Sequence, residues 1–316
     1  MSSLPFVLRG LLTAVLMLTL SATAMAQARV EKNVVYGMFS GTALLMDVHH
    51  PARPNGFGIV QIAGSGWYTS PAYSAPALKD RLEVFTPTMI AAGYTVFTVS
   101  HRASPRFSYP APIEDAQRAV RYVRHHAAKY GIDPRRIGGA GGSSGAHLVS
   151  LLGTMGGAGD ANDPDPVNRE SAKLQSIVTR AAPIDLLQMS PSDAGDAVAL
   201  FLGMRIMSQP PDKNSAERYS SYKTAAAASP INYVSADAAP FLLFHGDADL
   251  SVPLRQSELM EAALKKVGVP AKLIRIPGGN HALATAGARI SPEHDEEMVK
   301  WLDTHLRKSA SARPAQ

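Results

Sequence analysis

The run Ile137-Gly138-Gly139-Ala140-Gly141-Gly142-Ser143-Ser144-Gly145-Ala146-His147 constrains the fold more than any other stretch of these 316 residues. It sets Gly141-x-Ser143-x-Gly145 between an apolar lead and a helix-like continuation. That spacing fits a sharp turn from a strand into a helix, where a crowded backbone needs dihedrals that a Cβ opposes. A serine at the tip of such a turn stands where a base can reach its hydroxyl and backbone N–H groups can meet an oxyanion. The spacing alone recurs by chance, so its weight comes from what surrounds it.

The surroundings are short apolar runs alternating with helical patterns. Ala43–Val48, Ile59–Ile62, Tyr94–Val99, Ile137–Ala140, Ile177–Ala181, Phe241–His245 and Leu273–Ile276 read as strands. Ile113, Ala116, Val120 and Val123 share one helical face. Leu259–Lys266 and Glu296–Leu306 have similar patterns. Near-continuous apolar strands separated by helices imply an α/β fold with a mostly parallel central sheet covered on both faces. No linker divides residues 27–316, so one domain is expected. Within it, 187–229 is a Met-, Ser- and Pro-bearing stretch between two strands, a candidate lid over a site at the strand ends.

The first 26 residues differ from the rest. Arg9 is the only charge before Arg29, Leu11–Leu20 is apolar, and Ala24-Met25-Ala26 fits a small-residue cleavage site. This reads as a secretory signal, 1–26, with export to the periplasm or medium and Gln27 as the new N-terminus. The apolar core is shorter than the roughly 20 residues that span a bilayer, so stable membrane insertion is not expected. The chain has no cysteine, which excludes a thiol nucleophile and cysteine metal ligands, and its core is large enough to do without disulfides. The formal net charge is +5, with basic residues scattered and no basic stripe interleaved with aromatics, so nucleic acid is not an expected partner. His49-His50 and His125-His126 are adjacent pairs whose rings point apart in regular structure. No cluster has zinc-site spacing, so neither a metal nor a cofactor is expected.

An acid and a histidine follow Ser143 in the chain order of a hydrolase triad. His245-Gly246-Asp247-Ala248-Asp249 comes just after one strand, and Pro277-Gly278-Gly279-Asn280-His281 just after another. Groups at the C-terminal ends of parallel strands can converge on a serine placed the same way. Taken singly, each has an ordinary alternative: Ser143 as a helix N-cap, Asp249 as a cap for the helix near Pro253, His281 as a solvated loop residue. Ser144 lies in a second frame, Gly142-x-Ser144-x-Ala146, but only Ser143 is flanked by glycine on both sides. The residues alone leave Asp247 and Asp249 as rival acids.

These motifs together resemble the α/β-hydrolase esterases related to hormone-sensitive lipase, above all the compact bacterial group of feruloyl and acetyl-xylan esterases. The resemblance covers about residues 40–306. It rests on Gly141–Leu148, on His245-Gly-x-x-Asp249 and on the glycine-rich turn before His281. Ser108–Asp115, Ile132–Ile137 and Ala228-Ser229-Pro230 add to it. It implies an α/β-hydrolase fold, Asp249 as the acid and His281 as the base. It also implies an oxyanion loop at Ala63-Gly64-Ser65-Gly66-Trp67, where the family usually has His-Gly-Gly-Gly-Trp. Ser65, Gly66 and Ser144 would then supply backbone N–H donors, and Trp67 and Tyr68 would line the pocket. The expected activity is hydrolysis of small or medium acyl esters, including carbohydrate-linked ones, through an acyl-enzyme. Two alternatives stand beside it: a serine peptidase of the prolyl-oligopeptidase type, and a non-catalytic binding protein on a hydrolase scaffold. Acyl length and oligomeric state are not legible in the sequence.

Overall fold

All seven apolar runs pair into one sheet in the computed structural model, which describes residues 28–189, 195–204, 216–283 and 291–308. In chain order the elements are β1 (Arg29–Phe39), β2 (Thr42–His50), β3 (Gly58–Ile62), α1 (Thr86–Ala91), β4 (Thr95–Val99), α2 (Ala111–His125), β5 (Ile137–Gly142), α3 (Ser143–Thr154), β6 (Ile177–Arg180), α4 (Gly195–Phe201), α5 (Ala216–Ala227), β7 (Phe241–Gly246), α6 (Arg255–Lys266), β8 (Ala271–Ile276) and α7 (Pro292–Lys308). The sheet order is β1-β2-β4-β3-β5-β6-β7-β8. β1, β2 and β4 pair antiparallel, and every pairing from β4 through β3 to β8 is parallel.

Residues along a strand point alternately to opposite faces, and the core divides accordingly. Val60, Phe97, Phe241 and Leu243 join a cluster with Val120 of α2, Leu148 of α3 and Met260 of α6. Ile59, Val96, Leu242 and Phe244 join a second cluster with Met89 of α1 and Met298, Leu302 and Leu306 of α7. The strands therefore read as unbroken apolar runs because both faces are covered.

β1 is the strand that the sequence did not announce. Charged and apolar residues mix along it, and only Tyr36 is buried. An edge strand with so little buried surface need not carry an apolar run. The antiparallel β1–β2–β4 edge leaves the parallel part centred on β5, so its C-terminal ends form one continuous rim.

Candidate active site

The rim of β3, β5, β6, β7 and β8 collects the chemistry. β5 ends at Gly142 and the chain turns at once into α3, whose first residue is Ser143. Ser143 has a φ of 51°, a strained value for a residue with a Cβ. The turn is held by close approach. A Cβ on Gly145 would lie 2.0 Å from the Ile62 carbonyl oxygen, and one on Gly141 would lie 2.6 Å from the Gly145 backbone. The two glycines of the motif thus let α3 and the end of β3 close over the turn. Ser143 is half-buried at the N-terminus of α3, whereas Ser144 is 1% exposed.

Asp249 and His281 meet on the neighbouring strand ends. His281 Nδ1 donates to Asp249 Oδ2 at 2.7 Å, which leaves Nε2 as the acceptor. Asp249 Oδ1 accepts the N–H groups of Ser251 at 2.8 Å and Val252 at 3.0 Å. His245, fully buried, donates from Nε2 to the Val252 carbonyl at 2.9 Å and stands 3.4 Å from Asp249 Oδ2. Burial alone would raise the Asp249 carboxyl. Its bonds with His245 and His281 and the Val252 N–H outweigh that and hold it well below the usual carboxylate range. The Asp249 side chain is 0% exposed and that of His281 31% exposed, so the imidazole faces the open side.

The rival acid is engaged elsewhere. Asp247 is exposed, and its Oδ1 accepts the Gly278 N–H at 2.5 Å. The turns after β7 and β8 also bond directly: Ala248 N–H donates to the Gly279 carbonyl at 2.9 Å, and a Cβ on Gly246 would lie 2.1 Å from that oxygen. Among the described residues no hydrogen bond joins Ser143 Oγ to His281.

The loop after β3 lies beside the elbow. A Cβ on Gly64 would come 3.2 Å from Ser143 Cβ. The Ser65 N–H donates to Ser144 Oγ at 2.9 Å, so this donor is engaged by a side chain. Trp67 does not form an open pocket wall. It is 2% exposed, its Nε1–H donates to His147 Nδ1 at 3.1 Å, and its ring stacks on Phe201 at 4.5 Å. Tyr68 is 40% exposed. α4 lies against the loop, since a Cβ on Gly66 would meet the Ala197 Cβ at 3.5 Å. Of the stretch 187–229, residues 190–194 and 205–215 lie outside the described residues.

His147 is buried behind the elbow and donates from Nε2 to the Ala228 carbonyl at 2.7 Å. Burial pushes its pKa down from 6.5 to about 4, against the opposing pull of that bond. The unfolded chain takes up this proton near pH 6.5, the folded chain only near 4. Stability therefore falls as pH drops through that window and levels off below it, by about 3 kcal/mol for this group. His147→Gln keeps one acceptor and one donor but does not titrate. Its melting temperature is expected to fall less steeply between pH 6.5 and 4 than that of the unsubstituted protein. Identical slopes in thermal melts would show that His147 is not the titrating group.

Sequence reasoning gave no place at the rim to Arg180 and Glu83, whose side chains pair there. The one available signal was a charge, Arg180, closing the apolar run of β6 at the rim. Glu83 follows no strand and carried none. Among the described residues no group of three or more His, Cys, Asp or Glu side chains could hold a metal ion. No described helix is long and apolar enough to cross a membrane.

With this geometry in view, residues 46–264 match the family model described as BD-FAE. The chain belongs to the BD-FAE family. This BD-FAE chain has the α/β-hydrolase fold expected from its hormone-sensitive-lipase-like motifs. It is 31% identical over 245 residues to Esterase LipQ of Mycobacterium tuberculosis, covering 74% of this chain and 53% of the relative. It thus spans about half the length of the curated relatives that it matches. A truncated carbohydrate esterase from gut microbiota superimposes with a TM-score of 0.72 at 27% identity, covering 90% of this chain and 98% of that one. An acetyl ester-xyloside bifunctional hydrolase from Caldicellulosiruptor lactoaceticus superimposes with a TM-score of 0.69 at 26% identity, covering 88% and 96%.

Proposed function

We propose that this BD-FAE chain is a serine carboxylic ester hydrolase with Ser143, Asp249 and His281 as its triad. The observation that carries the reading is the 2.7 Å bond from His281 Nδ1 to the buried Asp249 carboxylate, at the ends of β8 and β7 on the same rim as a strained Ser143. In this reading Ser143 Oγ attacks the ester carbonyl while His281 Nε2 takes its proton. Asp249 holds the tautomer and stabilises the imidazolium. The oxyanion meets the N–H groups of Gly66 and Ser144 at the positive end of α3. The Ser65 N–H joins them when the Ser144 hydroxyl turns away. His281 then protonates the leaving alkoxide. Water, activated by the same imidazole, cleaves the acyl-enzyme, giving acid, alcohol and free Ser143.

The substrate side is a small or medium acyl ester, with a carbohydrate alcohol the favoured kind. The two neighbours named above support that choice, as does the exposed Tyr68 ring beside the loop. A panel of p-nitrophenyl esters, acetylated xylo-oligosaccharides and peptide anilides tests it. Ester and acetyl-sugar turnover with inert anilides is expected. Anilide cleavage exceeding ester cleavage would favour a peptidase, and no turnover at all would favour a binding protein.

The same reading includes export, with one catalytic domain following the leader. Its support is Ala24-Met25-Ala26, within residues 1–27 that lie outside the described ones. Protein recovered from periplasm or medium is expected to begin at Gln27 on N-terminal sequencing. Intact Met1 in a membrane fraction would indicate an anchor.

A further inference from the structure

One buried ion pair touches three separate parts of the rim. Arg180, the last residue of β6, sits between the ends of β5 and β7. Its Nη1 donates to the His281 carbonyl at 2.6 Å, and its Nε and Nη2 donate to Glu83 Oε2 at 3.1 and 2.9 Å. Glu83 Oε1 accepts the Gly64 N–H at 2.8 Å. The two side chains are 12% and 7% exposed. A Cβ on Gly142 would stand 2.1 Å from Arg180 Nη2 and 2.4 Å from Glu83 Oε2, so the pair lies directly against the residue before Ser143. This explains the second glycine of the Gly141-Gly142 pair, which the elbow spacing itself does not require.

From this arrangement we infer that Arg180 and Glu83 are positioning residues for ester hydrolysis, clamping the base loop to the oxyanion loop behind the nucleophile. The inference rests on the triad proposed above. His281 belongs to the β8–α7 connection, and Gly64 to the loop after β3. No sheet hydrogen bond fixes one against the other, yet the proton acceptor and the oxyanion donors must hold one geometry around a single carbon. The guanidinium is suited to this task. It is planar with several fixed donors, so it serves a carbonyl and a carboxylate at once, which a single ammonium cannot do with the same geometry. Replacing a buried ion pair with apolar residues often costs little stability, so stability alone is a weak reason for this pair. A displacement near 1 Å of a positioned group costs on the order of 100-fold in rate.

Arg180→Lys keeps the buried charge but loses the fork, and it is the deciding variant. Arg180→Met with Glu83→Gln, which leaves no unpaired buried charge, is the second. With p-nitrophenyl acetate well below the melting temperature of each variant, kcat is expected to fall about 10- to 100-fold with KM within about threefold. Phosphonylation of Ser143 by a fluorophosphonate should slow in the same proportion. The double variant should be no slower than Arg180→Met alone, because each change breaks the same clamp. Wild-type kcat in Arg180→Lys, or a loss confined to KM, would overturn the inference while leaving the triad intact. If the unsubstituted enzyme fails to label at Ser143, the triad itself is wrong, and the clamp falls with it.

Discussion

Ser143→Ala is expected to lower kcat/KM on p-nitrophenyl acetate by about 10⁴-fold or more, with the protein still folded. Among the described residues no other hydroxyl combines these features. Ser143 opens α3 with a φ of 51°, flanked by glycines whose Cβ atoms would collide with neighbouring backbone. The adjacent Ser144 is buried, and its Oγ is committed to the Ser65 N–H at 2.9 Å. Ser144→Ala retains its own backbone N–H and releases that of Ser65, so its turnover should stay within about tenfold of the parent enzyme. A Ser144→Ala enzyme as inactive as Ser143→Ala would show that the Ser144 hydroxyl is part of the reaction.

Asp249→Asn is expected to cost about 10⁴-fold in kcat. The direction follows from the backbone contacts. Oδ1 of Asp249 accepts the Ser251 and Val252 N–H groups, so the amide oxygen of Asn would occupy that place and its NH₂ would face His281 Nδ1. Nδ1 would then have to accept, the ring proton would move to Nε2, and the ring could no longer take a proton from Ser143. Asp247→Asn keeps an oxygen for the Gly278 N–H and leaves His281 untouched, so a loss within about tenfold is expected. Steady-state kinetics of the two variants side by side decide the matter. A larger loss in Asp247→Asn would reverse the assignment of the acid.

Much of the parallel sheet was legible because its strands are covered on both faces. Runs such as Phe241–Phe244 then need no polar residues, and the helices between them keep one apolar stripe. Ser143 and His281 could be singled out as candidates because chain order and glycine spacing leave a trace at strand ends, whereas Asp249 was separated from Asp247 only by the family resemblance; the structure brings Asp249 and His281 together at 2.7 Å. β1 was not, because one buried tyrosine makes no pattern. Nor was the fate of Trp67, which depends on a contact with Phe201 more than a hundred residues away. The engaged Ser65 N–H and the Arg180–Glu83 pair are likewise contacts between segments remote in sequence. A lone charge at the end of an apolar strand is the one local sign that such a contact leaves.

The most direct test of the account is the site of covalent labelling. The intact protein would be treated with a fluorophosphonate, digested, and its modified peptide mapped by mass spectrometry. A single adduct on Ser143, lost in Ser143→Ala and much slower in Asp249→Asn, is the expected result. An adduct on Ser144 or another residue, or no adduct on a folded protein that still hydrolyses esters, would contradict it.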